Sequence, residues 1–408
     1  MPSNKKAKAA IAKGTAAEET VRQAVGRLGG MERFIKRGDL VFVKPNMVSS
    51  QPPPITTPPD MVAAVVKLCR EAGAKRVLVG DMPAIGQETT SRKCIKELGM
   101  DQAVAAAGGE VVFLDEEPQA DVDLPKGRIL KHIQMPKVLL EADSVINLPV
   151  IKTHLMTVIT CCIKNWHGII PDQWKEQHHR SDIHNKLVDL FTIVYPKLNI
   201  IDGRLAVEGQ GPCWGTNKEL GLVVAADDPV AGDAIVSALI GIDPFEVPTT
   251  YLGHVRKVGV GDLAQIELFG EPIEKVRQVF KRASPEVCGV IDGFEVYEGG
   301  MCLEGCKTNI RVALDILNGT GVINDIRKQG KRFAFVGGKD PVIPPLEEIE
   351  ADTIFLIGDC AIQGTTQQRL LSQTKKKIVV DLGCPPVGWV TIYGKILAEC
   401  GIAFKAVY

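Results

Sequence analysis

No apolar run in this 408-residue chain reaches the ~18 residues that a membrane-spanning helix needs. The opening stretch, MPSNKKAKAA, is polar and basic and has no apolar centre. It carries no visible secretory signal, and the expected location is the cytoplasm. A surplus of charge is missing too: 48 Lys+Arg stand against 49 Asp+Glu, a net charge of -1. That balance argues against nucleic acid or a membrane surface as partner, since either needs a basic excess. No G-x-G-x-x-G follows a predicted strand and no Walker A motif occurs, which makes NAD and ATP poor candidates. Long repeats, low-complexity tracts and heptad arrays are also absent. Histidine runs out at His254. With 45% hydrophobic and 24% charged residues, the chain has the composition of an ordinary globular protein of two or three domains. What it has in quantity is cysteine, eleven in all. In a reducing cytosol these suit metal ligands, redox groups or buried packing better than structural disulfides.

The apolar pattern predicts an α/β fold. Residues 1–15 are Lys/Ala-rich and read as a flexible N-terminus. A helix-compatible stretch follows to Gly29. Leu40–Val43, bounded by Gly38-Asp39 and Pro45, reads as a buried strand. TTPPDMVAAVVKLCREAGA reads as a helix capped by Thr56 or Thr57, with prolines in its first turn and Gly73 as its stop. Val77–Asp81 is the next strand. Strand, helix and strand in so short a span make a βαβ unit and a parallel sheet. Further strands are predicted at 109–114, 144–148, 197–202 and 222–226, and a helix opens at Asp228-Pro229. Residues 16–283 are expected to form one large, open, mostly parallel α/β domain, with KVRQVFKRASPEV as a linker helix. Residues 284–408 restart the pattern, with strands at 332–337, 352–358 and 377–382. They are expected to form a smaller α/β domain bearing a cysteine cluster.

The cysteines divide by position. Cys69, Cys94 and Cys400 sit among apolar residues and read as packing. Cys161 and Cys162 are adjacent, and neighbours rarely ligate one ion together. Cys213 lies in a Gly-rich loop with no assigned role. In the C-terminal region, Cys302 and Cys306 form a C-x3-C pair, while Cys360 and Cys384 each follow a predicted strand. Carboxyl ends of parallel strands line the ligand crevice, and four thiolates suit a [4Fe-4S] cluster. An all-cysteine zinc site is the other metal reading, though its usual paired C-x2-C spacing is missing. Cys288 is an alternative fourth ligand.

The large domain carries a second, polar constellation on the loops after its predicted strands. Lys44, Asn46, Asp81, Lys152, His154, Lys164, Asn165, Asp202 and Glu208 all fall there. The lysines and His154 suit a small anionic ligand. Lys152, His154 and Glu208 are candidates for proton transfer, and Asp202 for holding a metal or hydroxyl. Asn46 and Asp81 read equally well as caps or turn formers. His178, His179 and His184 lie in a polar segment that reads as a solvated lid, and His132 and His254 as surface residues.

VFVKPNMV, TTPPDMVAAVVKLCREAGAKRVLVGD, INLPVIKTH, IKNWHGIIP, IIDGRLAVEGQGP and AADDPVAGDA occur in order over residues 38–250. Together they resemble the domain of unknown function 362 family. That family occurs in anaerobic bacteria and archaea, often joined to ferredoxin-type iron–sulfur domains. The resemblance implies an α/β domain with iron–sulfur association. This chain lacks the C-x2-C-x2-C-x3-C run of a ferredoxin module, and its cysteine-bearing tail stands in that place. A looser resemblance is to the lactate racemase family, which uses a nickel pincer cofactor and pairs a Lys/His-bearing α/β domain with a smaller one. The KTH segment is compatible with it, but no catalytic assignment carries over.

Three functions are therefore expected. The first is an iron–sulfur oxidoreductase or electron-transfer protein, served by a redox partner protein and acting on a small anionic substrate or cofactor. The second is a redox-neutral isomerase or lyase of a hydroxy or carboxylic acid, with nickel as an additional metal. The third is a protein that carries or matures a metallocofactor.

Overall fold

The computed structural model describes residues 6–84, 90–178, 182–363, 374–383 and 388–403. The chain divides into two compact units. One takes the residues up to Lys175 and His184–Ala283, the other Glu176–Ile183 and the residues from Ser284 onward.

The first unit carries β1 (Ala7–Lys13), β2 (Leu40–Pro45), β3 (Arg76–Val79), β4 (Glu110–Val111), β5 (Gln119–Asp123) and β6 (His132–Pro136). It continues with β7 (Ser144–Leu148), β8 (Val150–His154), β9 (Val158–Thr160), β10 (Leu198–Glu208), β11 (Thr216–Ala226) and β12 (Ile266–Gly270). Ten of these strands form one sheet in the order β12-β1-β11-β10-β7-β2-β3-β4, with β8 against β10 and β9 against β8. The run β10-β7-β2-β3-β4 is parallel throughout. β11 runs antiparallel to both β1 and β10. β5 and β6 form a separate antiparallel ribbon.

Both faces of the sheet are covered. Ala10 and Ala12 of β1 pack with the helices Ala17–Arg27 and Pro59–Glu71. Ala9 and Ile11 face the other way, toward the helix Pro229–Leu239. A strand buried on both faces reads as a continuous apolar run, which is why β2 and β3 were visible in the sequence.

Several expectations need correction. The stretch expected to be a flexible terminus holds β1, a fully paired strand. Its alanines fit between two neighbouring strands, and pairing overrides their helical propensity. The expected linker helix is reduced to Ile273–Val276. Beyond it the chain runs along the core instead, with Gln278 N donating to Leu239 O and Phe280 N to Ile240 O. Thr57 does not cap the helix Pro59–Glu71. Its hydroxyl donates to Leu148 O and accepts from Asn46 N, tying β7 to the loop after β2.

In the second unit β13 (Phe294–Glu298), β14 (Phe333–Gly337), β15 (Thr353–Ile357) and β16 (Lys377–Asp381) lie side by side in chain order, all parallel. The period of two along a strand sorts its core. Ala334, Val336, Ile354 and Leu356 pack on one face. Phe294, Phe333, Phe335 and Phe355 form an aromatic cluster with ring centroids 5.3–5.8 Å apart. The fold is thus α/β, a large mostly parallel sheet followed by a smaller α/β region.

Candidate functional site

The carboxyl edge of the parallel run collects the polar residues. Lys44 is the last residue but one of β2 and lies beside Asn147 of β7 in the register. Asp81 stands two residues beyond β3 and Lys152 lies in β8. Lys164 and Asn165 sit on the short helix Cys162–Asn165, and Lys175 on the helix Asp172–His178.

Lys44 and Asp81 form a buried ion pair, Nζ to Oδ1 2.6 Å. Lys44 Nζ also donates to Pro45 O at 3.1 Å and Asn165 Oδ1 at 3.4 Å. Asp81 in turn accepts the N–H of Met47 at 2.8 Å and of Met82 at 2.9 Å. Burial pushes the Lys44 amine down and the Asp81 carboxyl up, and their contact opposes both shifts. The extra N–H donors favour the ionised carboxylate. Gly168 makes this packing feasible: a Cβ there would lie 2.1 Å from Asp81 Oδ1 and 2.8 Å from Lys44 Nζ.

A ladder of buried amides runs back from the pair into the sheet. Asn165 Nδ2 donates to Asn147 Oδ1 at 2.8 Å, and Asn147 Nδ2 to Asn199 Oδ1 at 3.0 Å. Asn199 Nδ2 reaches Ala226 O at 3.3 Å. The connected network fixes the rotamers of its members.

Lys152 is fully buried. Its Nζ donates to Asn46 Oδ1 and, at 2.5 Å, to Ile55 O. Burial lowers this lysine to about 7; Cys213 opposes the shift and Lys164 adds to it. Lys164 is lowered to about 8 by burial, helped by Lys175 and Lys44. Among the described residues, no hydrogen bond or ion pair engages Lys164 Nζ. Lys175 donates to Pro83 O at 2.7 Å and contacts Asp172 Oδ1 at 3.2 Å. His154 stands two residues along β8 from Lys152, on the same face. Its Nδ1 accepts the N–H of Met156 at 3.0 Å and of Thr157 at 3.3 Å, so the neutral ring carries its proton on Nε2.

The structure thus brings Lys44, Asn46, Asp81, Lys152, Lys164 and Asn165 into one interacting group. Two expected members are occupied elsewhere. Asp202 is bound by Arg204, which also holds Asp60. Glu208 accepts Lys281 N at 3.0 Å and lies 3.6 Å from Lys218 Nζ. Lys175 was missed because its segment is polar throughout, and His178 beside it is also buried rather than solvated. Cys213, left without a role by the sequence, acts electrostatically on Lys152 and Lys164.

The thiols of the second unit are arranged differently. Cys302 and Cys360 are exposed and Cys306 is buried. Cys306 Sγ donates to Ile357 O, the last residue of β15, at 3.5 Å, and Cys360 opens the helix region that follows the same strand. Cys384 lies outside the described residues. Cys288 Sγ donates to Glu298 Oε1 at 3.2 Å, and burial together with that carboxylate raises its thiol to about 11.

Among the described residues, Cys161, Cys162 and Asp233 form a group of three metal-ligand side chains whose donor atoms lie within 4.8 Å of one another. All three are buried. Asp233 accepts the N–H of Cys162 at 2.6 Å and of Ile163 at 3.2 Å, capping the short helix. Burial raises Asp233 to about 6 and Cys161 to about 11. Both thiols are therefore protonated at neutral pH, and a soft divalent ion would have to displace two protons to bind there.

Comparison with known proteins gives four likenesses. A family model described as Domain of unknown function (DUF362) matches residues 41–238. A thylakoid-associated protein of Synechocystis sp. is 32% identical over 244 residues, which is 56% of this chain and 72% of that protein. Among solved structures, the lactate racemase apoprotein from Thermoanaerobacterium thermosaccharolyticum is 12% identical, with a TM-score of 0.35 over 51% of this chain and 52% of that one. A Thermotoga maritima protein is 14% identical, with a TM-score of 0.33 over 48% and 52%. The chain spans about half the length of these two solved proteins. No described helix is long and apolar enough to cross a membrane.

Proposed function

The chain belongs to the domain of unknown function 362 family, and from that premise we propose that it is an enzyme acting on a small anionic substrate held at the lysine site. The reaction class this favours is redox-neutral proton transfer on a hydroxy or carboxylic acid, an isomerase or lyase. The observation that carries it is the charge imbalance: Lys44, Lys152, Lys164 and Lys175 feel one buried carboxylate in common, Asp81, and half-buried Lys164 meets no acceptor among the described residues. A carboxylate or phosphate on Lys164 would complete the arrangement. An amine near neutrality, as Lys152 is, populates both protonation states at working pH and is suited to take and return a proton. His154 Nε2–H, on the same face of β8, is a second donor.

Calorimetric titration with lactate, pyruvate and phosphate tests the reading. One of these anions is expected to bind, and Lys164→Ala to weaken it at least tenfold, ~1.4 kcal/mol. Absence of binding by all three, or binding indifferent to Lys164, would sink it.

A second reading concerns the other unit, where Cys306 Sγ contacts Ile357 O at the end of β15 and Cys360 follows three residues later. There Cys302, Cys306 and Cys360, with Cys384, would hold a [4Fe-4S] cluster and supply one-electron chemistry. The donor set is right in kind, because Cys302, Cys306 and Cys360 all fall on segments at the carboxyl edge of one sheet, and no histidine follows His254. Anaerobic reconstitution followed by iron and sulfide analysis tests it. Zinc, or no metal, would remove the cluster.

A further inference from the structure

We propose that Lys152 is a carbonyl-condensing amine, forming an imine with the oxo carbon of a small 2-oxo acid whose carboxylate rests on Lys164. The inference deepens the anion-site reading and rests on it.

It starts from a difference between two buried lysines. Lys44 Nζ has three acceptors, Asp81 Oδ1, Pro45 O and Asn165 Oδ1, one for each proton of an ammonium. Among the described residues Lys152 Nζ has two, Asn46 Oδ1 and Ile55 O, both uncharged. A neutral amine owns two hydrogens and a lone pair. Two acceptors satisfy both hydrogens and leave the lone pair directed away from them. An ammonium at the same place would bury a charge with no carboxylate in contact and one proton unbound, which is costly. Burial, aided by the neighbouring Lys164 cation and opposed by Cys213, lowers this lysine to about 7. Desolvation beside a second cation is how a lysine becomes nucleophilic at neutral pH.

The step balances within the site. The Lys152 nitrogen adds to the oxo carbon and the carbonyl oxygen becomes a hydroxyl. The C–O bond then breaks as the C=N bond forms. Both amine hydrogens leave with that oxygen as water, so no electron donor or acceptor is required. The Lys164 ammonium, which has three N–H donors and does not need all of them for the carboxylate, protonates the departing hydroxyl and recovers its proton from the nitrogen. Protonated at nitrogen, the product imine is an electron sink for loss of a proton, or of a carboxylate as carbon dioxide, from the adjacent carbon.

The test uses the full chain with pyruvate and cyanoborohydride, which reduces an imine to a stable secondary amine. Intact mass followed by peptide mapping is expected to find one reduced adduct, on Lys152, with Lys44 unmodified. The labelling rate should rise through about pH 7 rather than near the ordinary lysine value. Propanal, a carbonyl without the carboxylate, should label several-fold more slowly, and urea-unfolded protein should show no preference for Lys152. Wild-type mapping needs no variant that might fail to fold. If pyruvate binds by calorimetry yet leaves no adduct, or modifies another lysine, the imine is wrong and the anion site stands. If pyruvate neither binds nor labels while lactate or phosphate binds, the imine is wrong and the anion site stands; if none of the three binds, both readings fall.

Discussion

Two sheet edges in this protein occupy equivalent topological positions and carry unlike chemistry. After β2 and β3 the carboxyl edge of the ten-stranded sheet holds Lys44, Asp81 and the amide ladder, all buried and hydrogen-bonded to one another. After β13 and β15 the carboxyl edge of the four-stranded sheet holds Cys302, Cys306 and Cys360, two of them exposed. Position at the end of a parallel strand marks both as candidate ligand sites. Burial decides what each can do. In the first region desolvation moves the amines toward neutrality. In the second, the exposed thiols are open to whatever ion, cluster or oxidant reaches them.

The sharpest way to break that contrast is Asp81→Ala. It leaves Lys44 buried without its counter-charge and strands two N–H donors, so a loss of about 3–5 kcal/mol is expected. Urea unfolding followed by tryptophan fluorescence would measure it. Exposed Cys360→Ser should move the same curve by less than ~0.5 kcal/mol. Similar losses for both variants would mean that Asp81 is not the keystone of the buried group.

The sequence revealed the first region unevenly. Lys44, Lys152 and Lys164 were found because each follows a recognisable apolar strand or its motif. The parallel core was found because strands buried on both faces read as apolar runs. What escaped depends on contacts between distant segments. Nothing local distinguishes Lys175 from the solvated lysines around it; only its packing against Pro83 and Asp172 does. Asn199 looks like an ordinary residue within a strand until Asn147 is placed beside it. β1 was lost for a related reason, since an alanine-rich stretch has no strand signal of its own. Asp202 was overvalued because sequence shows that an acid follows a strand but not that Arg204 has already bound it.

A smaller effect separates the regions by pH. In the fold Lys152 sits at about 7 and Lys164 at about 8, against ~10.4 in an unfolded chain. Between those values the unfolded chain binds more protons, so stability rises with pH. The full contribution is reached above the unfolded value and is lost as pH falls through 8 and 7. Buried thiols act with the opposite sign. Cys69, raised to about 12, and Cys161, raised to about 11, favour the unfolded chain once its thiols ionise near ~8.5. The urea midpoint is therefore expected to climb from pH 7 to 8.5 and then flatten. In Lys152→Met the climb should shrink. A midpoint that falls over the first interval would show that these lysines are charged in the fold.

The smallest expected effect concerns the thiols themselves, and it asks whether the second region is as open as its exposure indicates. Maleimide labelling of the folded protein, read by peptide mass, should modify Cys302 and Cys360 and leave Cys161 and Cys162 untouched. Cys288 is also exposed, yet it should lag. Reaction goes through the thiolate, and this thiol is held at about 11 by burial and by Glu298, which accepts its S–H at 3.2 Å. Glu298→Gln removes the carboxylate's share of that shift and should speed Cys288 alone. If Cys288 labels as fast as Cys302 in the wild type, exposure rather than protonation governs this edge. If Cys302 and Cys360 resist labelling, the edge is closed, and the distinction between a buried amine site and an open thiol site fails.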